Sequence, residues 1–251
     1  MSVAALSTRA LDKRFGSLVV ARGVELSLPP GARHALIGPN GAGKTTLINL
    51  ITGMLAPDGG HVFLGGHDVT RLDPDQRVKR GLARTFQINA LFPRLSPLEA
   101  TTLAVCERSG LAARWWRPLG ACRVEMDEAY EILRSLGLAP VCHRPTRELP
   151  YGQQRLLEIA LALATRPRVL LLDEPAAGVP RHESAHLLAA VAGLSADLTV
   201  LLIEHDMDLV FRFASRVTVM VGGQVLVEGT PAEIAADPRV AEIYLGGARR
   251  G

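Results

Sequence analysis

Lysine is scarce in this chain. Only Lys13, Lys44 and Lys79 occur, and the other 25 of the 28 basic residues are arginines. The formal net charge of +3 is spread along the sequence, with no dense basic run outside Arg249-Arg250, so the footprint of a nucleic-acid-binding surface is missing. Cysteine is scarce as well. Cys106, Cys122 and Cys142 are widely spaced and odd in number, with no C-x-x-C pair, which argues against a disulfide framework and for a reducing, cytoplasmic setting. Long apolar runs are also absent. The longest, at 187–194, 198–203 and 169–172, are interrupted or ended by Asp197, Glu204 or Asp173, far short of the roughly 20 residues that span a bilayer. The opening MSVAALSTRALDKRF has no apolar core of signal-peptide length. The expectation is a soluble protein, or one that sits on a membrane through a partner.

What is present is the balance of an ordinary globular core, with 48% hydrophobic and 21% charged residues over 251 positions. That length suits one large domain or two small ones. To about Gly66 the chain reads as short strands and turns, an N-terminal antiparallel β part. Residues 32–37 form an apolar run stopped by Gly38, and 61–64 with the residues after Gly65-Gly66 read as a hairpin. A helical pattern runs over 44–52. From about Asp73 to Ala164 the pattern is mostly helical: 124–136 places Met126, Tyr130, Leu133 and Leu136 at helical spacing, and 153–164 is a further helix. The last third alternates. Apolar strands at 169–172 and 198–203 flank a helix at 181–194, and 217–221 pairs with 224–227 across Gly222-Gly223. Continuous apolar strands between helices indicate a mostly parallel sheet covered on both faces. The expected architecture is α/β, one folding unit over 1–251, with an α-helical subdomain inserted at about 73–164.

Gly38-Pro39-Asn40-Gly41-Ala42-Gly43-Lys44-Thr45, followed by Thr46, fits G-x-x-x-x-G-K-[ST]. Successive backbone N–H groups wrap an anion closely only where glycine permits the tight backbone. A helix starting near Lys44 aims its positive dipole end at phosphates. Lys44 supplies a point charge to the β and γ phosphates of ATP, and the Thr45 hydroxyl can ligate Mg2+. An apolar strand precedes the loop and a helix follows it, which separates this motif from a plain glycine-rich turn. Asp173-Glu174-Pro175 closes the second apolar strand. Ligands of open α/β sheets collect beyond the carboxyl ends of strands. Asp173 is placed to hold Mg2+, directly or through water. Glu174 is placed to polarise the water that attacks the γ phosphate. Alone, such a pair is a solvated strand end broken by proline; beside the phosphate loop it reads as catalytic, and a P-loop NTPase core follows.

In their order these residues resemble one family, the nucleotide-binding subunits of ABC transporters, over nearly the whole chain. Thr85-Phe86-Gln87 resembles the family's Q-loop and Leu149-Pro150-Tyr151-Gly152-Gln153-Gln154 its signature motif. Ala176-Ala177-Gly178-Val179 resembles the D-loop, and Ile203-Glu204-His205-Asp206 the switch-histidine strand. Phe15 matches the aromatic that stacks on adenine; alone it would more often be a core residue, and in register with the other motifs it is a platform worth about 1–3 kcal/mol. The resemblance implies a head-to-tail dimer, with ATP on residues 38–46 of one subunit covered by Tyr151, Gly152 and Gln153 of the other. Gln87 would sense the γ phosphate and Mg2+ while contacting the membrane subunit, and His205 would reach the γ phosphate. It implies membrane permease subunits and a second ATPase as partners, no nucleic acid, and a peripheral place on the cytoplasmic face of the inner membrane, held through the permease only.

The wording at 149–160 and 173–179, and the ending Gly229-Thr230-Pro231, Asp237-Pro238 and Tyr244-Leu245-Gly246, are similar to the LivG-like branch of branched-chain amino acid uptake. The implied function is ATP hydrolysis that energises import of branched-chain amino acids or a related small solute. A soluble ABC-type ATPase not coupled to transport, and branches for urea or lipid cargo, are the alternatives. One departure stands out. The common signature is Leu-Ser-Gly-Gly-Gln, whereas here Pro150 takes the serine position and Tyr151 the first glycine position. Either this composite site is a weaker clamp, or the second ATPase carries the better signature and the dimer is asymmetric; the resembled branch pairs two different ATPases, which favours the latter. Trp115-Trp116-Arg117 reads equally as a partner or membrane-surface contact and as a packed edge. The histidines other than His205 show no metal-ligand spacing, and the cysteines read as small core residues. Glu204 and Asp206 flank His205 without an assigned role.

Overall fold

The computed structural model describes residues 3–85, 91–111 and 122–246. Two long antiparallel strands open it, β1 (Leu6–Phe15) and β2 (Leu18–Leu28). They are longer than the short strands expected. The reason is that β1 slips register against β2 at several points between Thr8 and Arg14, which breaks the apolar alternation a sequence pattern follows. Next comes β3 (Arg33–Ile37), which runs into a glycine-rich loop and α1 (Lys44–Thr52). β4 (Gly59–Leu64) pairs with β1 and, across Gly65-Gly66, with β5 (His67–Asp68), the expected hairpin. The first sheet runs β2-β1-β4-β5.

After α2 (Pro74–Lys79) and β6 (Leu82–Arg84) come three helices, α3 (Pro97–Arg108), α4 (Arg123–Ser135) and α5 (Tyr151–Ala164). Then β7 (Val169–Asp173), α6 (Arg181–Ala192), β8 (Thr199–Ile203) and α7 (Met207–Phe213) alternate. The strands β9 (Arg216–Val221) and β10 (Gln224–Gly229) and the helices α8 (Pro231–Ala236) and α9 (Pro238–Gly246) follow. The second sheet has the order β10-β9-β3-β8-β7-β6. Within it β7, β8, β3 and β9 run parallel, and β10 returns antiparallel after the Gly222-Gly223 turn. Every residue of β7 and β8 is buried, as parallel strands covered on both faces require. The class is therefore the expected one: α/β, with an antiparallel N-terminal sheet, a mostly parallel second sheet and a helical segment between their strands.

The chain divides into two compact units. The first holds the residues up to Leu82, Arg168–Glu174 and those from Ala196 onward. Its core joins Leu6 and Leu28 of the first sheet, Leu36, Leu171 and Leu201 of the second, and Leu47, Ile48 and Ile51 of α1. The C-terminal end of α1 is closed by Arg77, only 1% exposed, whose guanidinium donates to the carbonyls of Leu50 (2.7 Å), Ile51 (2.6 Å), Thr70 (2.8 Å) and Leu72 (3.0 Å).

The second unit holds Ala83–Pro167 and Pro175–Ser195. It begins later than residue 73 and also takes in the segment that follows Glu174. Within it α3, α4 and α5 pack on one another. The buried stripe of α4 is Ala129 and Leu133, continued by Leu136, whereas Tyr130, expected on that face, is 40% exposed. Positions 129, 133 and 136 share one face at helical spacing, and Tyr130 is turned about 100° away from it. Arg108 binds Glu128 through two 2.7 Å hydrogen bonds and also donates to Ala164 O at 2.7 Å, so one guanidinium joins all three helices. α5 starts two residues before the helix read from the pattern, because Pro150, at ψ 152, serves as its cap and its ring suits the boundary. All three cysteines are buried, and none forms a disulfide among the described residues.

Candidate active site

The loop between β3 and α1 is shaped by glycine. Gly41 and Gly43 have φ of +79 and +100, left-handed values that favour glycine. A Cβ on Gly43 would strike the carbonyl of Val20 in β2, so the loop lies directly against that strand. Gly223 N–H donates to Ala42 O at 3.0 Å, and Arg22 N–H to Gly223 O at 2.9 Å, which ties the loop to the β9–β10 turn as well. Lys44, 9% exposed, donates from Nζ to Gly38 O (2.6 Å) and Pro39 O (3.1 Å), holding its charge inside the loop. Burial pulls the Lys44 pKa below that of a free lysine, against the opposing pull of the Glu174 and Asp173 carboxylates. Thr45 is exposed and Thr46 half-buried on the first turn of α1. Phe15, at the end of β1, is 52% exposed with Lys13 Nζ 5.8 Å from its ring centroid, so it is not a core aromatic.

The carboxylates stand beyond the carboxyl end of the same sheet. Asp173 ends β7 and is 5% exposed. Glu174 follows at φ 45, rare for a residue with a Cβ, and its N–H donates to Ile203 O at 2.9 Å. That bond anchors Glu174 to the last residue of β8, from which His205 is only two residues away. His205 Nδ1 lies 4.0 Å from Glu174 Oε1 and 3.8 Å from Glu204 Oε2. The structure therefore brings Lys44, Asp173, Glu174 and His205 together in one unit, as the motif order predicts. Glu204, 1% exposed, is a member of this cluster that the sequence left without a role. Asp206 has a local one: it caps α7, accepting from Asp208 N–H (3.0 Å) and Leu209 N–H (3.3 Å).

Tyr151, Gly152 and Gln153 form the first turn of α5 in the second unit. Tyr151 Oη accepts from Arg155 at 2.7 Å, and Arg155 also pairs with the half-buried Glu158 at 2.8 Å. Burial holds the Glu158 pKa above the ordinary carboxylate range, Arg155 opposing it. Gly152 N–H donates to Glu183 Oε2 at 3.0 Å. Gln87 and Trp115-Trp116 lie outside the described residues.

The donor set fits a magnesium nucleotide: a backbone N–H cradle with one lysine for phosphates, and hydroxyl and carboxylate oxygens, the ligands that a hard divalent cation takes. Such a cradle at a helix N-terminus, with acids beyond the strand ends of a parallel sheet, defines a P-loop nucleotide hydrolase. The chain belongs to the ABC transporter family, which it matches over residues 21–177, and it is an ATP-binding cassette ATPase. Residues 224–249 match the branched-chain amino acid ATP-binding cassette transporter family. The chain is 38% identical over 255 residues to the high-affinity branched-chain amino acid transport ATP-binding protein BraF of Pseudomonas aeruginosa, covering 98% of this chain and 99% of that protein. It is likewise 38% identical over 253 residues to LivG of Escherichia coli K12, with 98% and 99% covered. A solved nucleotide-free ATP-binding cassette from an ABC transporter matches with a TM-score of 0.83 at 34% identity, covering 97% of this chain and 99% of that one. The ADP conformation of such a cassette matches equally well, at a TM-score of 0.83 and 34% identity over 98% and 99% of the two chains. Among the described residues no helix is long and apolar enough to cross a membrane.

Proposed function

We propose that this chain is the ATP-hydrolysing subunit of an uptake transporter for branched-chain amino acids or a related small solute, with residues 1–251 working as one ATPase domain. The observation that carries this reading is the pairing of Glu174 with His205, 4.0 Å apart, at the sheet end that also bears the phosphate loop. The names of BraF and LivG, near-full-length relatives at 38% identity, support the cargo.

ATP is the substrate. Gly38, Pro39, Asn40, Gly41, Ala42 and Gly43 wrap its phosphates with backbone N–H groups, Lys44 adds charge, Thr46 adds a hydroxyl on the same turn, and Phe15 stacks on the adenine. Thr45, Gln87 and Asp173 are the oxygen ligands for Mg2+, which supplies neutralisation of the phosphate charge when bound. Glu174 accepts a proton from the attacking water, and His205 holds the γ phosphate and Glu174 in line. Tyr151, Gly152 and Gln153 cover the nucleotide of a facing subunit. The partners are permease subunits and a second ATPase, not nucleic acid, and the chain is held peripherally at the cytoplasmic face of the inner membrane through the permease. Gentle solubilisation of native membranes, capture of this protein and mass spectrometry of what accompanies it test the reading. Multi-span permease subunits with a second ATPase are expected; ribosomal or purely soluble partners would overturn it.

A further inference from the structure

The first turn of α5 already holds an anion of the chain's own making. Pro150 has no N–H, and the Gln154 N–H is spent on Pro150 O at 3.1 Å, which leaves the N–H groups of Tyr151, Gly152 and Gln153 to face any phosphate. The middle one is taken: Glu183, in the first turn of α6, reaches across and accepts from Gly152 N–H at 3.0 Å. The contact is built rather than incidental. A Cβ on Gly152 would collide with the Glu183 carboxylate and stand only 3.2 Å from Glu183 Cβ, so position 152 must be glycine for the carboxylate to lie there. The segment between the two helices is packed down as well, since a Cβ on Gly178 would sit 3.4 Å from the Tyr151 ring. The carboxylate also sits where the dipole of α5 favours negative charge.

We infer that Glu183 is an internal counter-anion, occupying the Gly152 N–H until the γ phosphate of ATP on the facing subunit displaces it. This rests on the reading of Tyr151, Gly152 and Gln153 as the cover of a facing nucleotide. One N–H cannot serve two anions, and two like charges at one helix end repel. Closure of the dimer over ATP must therefore break the Glu183 contact, and Glu183 sets the ATP concentration at which closure occurs. Glu183 touches no reacting atom in this scheme, so it acts on ATP affinity and leaves the chemical step alone.

Steady-state ATP hydrolysis by the full transporter, in wild-type, Glu183→Gln and Glu183→Ala forms, tests this, with the melting temperature recorded for each. Neutralising the carboxylate removes a helix-terminus charge effect, so the KM for ATP is expected to fall roughly two- to fivefold in Glu183→Gln. It falls at least as far in Glu183→Ala, with kcat within about twofold of wild type in both. Glu183→Gln preserves side-chain shape and decides the matter if Glu183→Ala does not fold. A KM that is unchanged or raised in Glu183→Gln, while the wild type hydrolyses ATP, overturns the counter-anion alone. A wild-type transporter that does not hydrolyse ATP overturns the underlying reading of the site instead.

Discussion

Glu174 is held by its backbone before it is held by anything else. At φ 45 it sits in a conformation that costs a residue with a Cβ about 1 kcal/mol, and the bond from its N–H to Ile203 O keeps it there. The backbone thereby fixes where the side chain starts, and its carboxylate lies 4.0 Å from His205 Nδ1. Glu174→Gln keeps the shape and removes the base, so nucleotide binding is expected to persist while turnover falls by about 10²–10⁴. Parallel measurement of nucleotide binding and phosphate release checks this, and near-normal hydrolysis would remove Glu174 from the role. Pro150→Ser restores a hydroxyl and an N–H at the helix cap of α5, yet turnover is expected to change less than about tenfold, because the Tyr151, Gly152 and Gln153 donors and the helix dipole are already present. That Lys44, Asp173, Glu174 and His205 gather in one place was legible because the motifs occur in fixed order. Glu204 was not: burial of a carboxylate beside His205 depends on which strands neighbour β8, and no local pattern reports that.

At the scale of elements, two arginines hold helices by opposite means. Arg77 donates to four carbonyls, among them the last carbonyls of α1, where the helix dipole is negative, and the Asp68 and Asp73 carboxylates favour its charge against the cost of burial. Lysine cannot reproduce a fork with that many directions, so Arg77→Lys is expected to cost about 2–4 kcal/mol, read by chemical denaturation. Arg108 instead meets a carboxylate. Its hydrogen bonds to Glu128 hold that carboxyl pKa below the ordinary range, burial opposing the shift. Since the folded pKa is the lower one, this stabilisation is fully present above the unfolded carboxylate pKa and is lost as pH falls through the folded value. Thermal melts are therefore expected to show Glu128→Gln less stable than wild type by roughly 2–6 °C at pH 7, with the difference shrinking below about pH 4. Elements with clean periodicity, α1 and the buried β7 and β8, were readable in the sequence. β1 and β2 were not read at full length, because register slips shift the side chains between faces, and the α4 stripe was misplaced onto Tyr130 because an aromatic looks apolar wherever it points.

On the scale of the whole molecule, the family is written along most of the chain, and the likeness to the branched-chain amino acid branch lies in the wording of 149–160 and 173–179 and in residues 224–249. Chelating Mg2+ from the intact transporter is expected to stop hydrolysis while leaving the melting temperature of the chain nearly unchanged, since among the described residues no cluster of three or more His, Cys, Asp or Glu could hold a structural metal. Scanning calorimetry beside phosphate release separates the two effects.

The bracing of the phosphate loop reaches beyond the folded state. Val20 presses on Gly43, and Gly223, itself packed against Val20, clasps Ala42. During synthesis the first brace leaves the ribosome ahead of the loop, while the second emerges long after it. A nascent chain that already displays the whole glycine motif therefore lacks one of the contacts that brace it, and gains that contact only when the β9–β10 turn has been made.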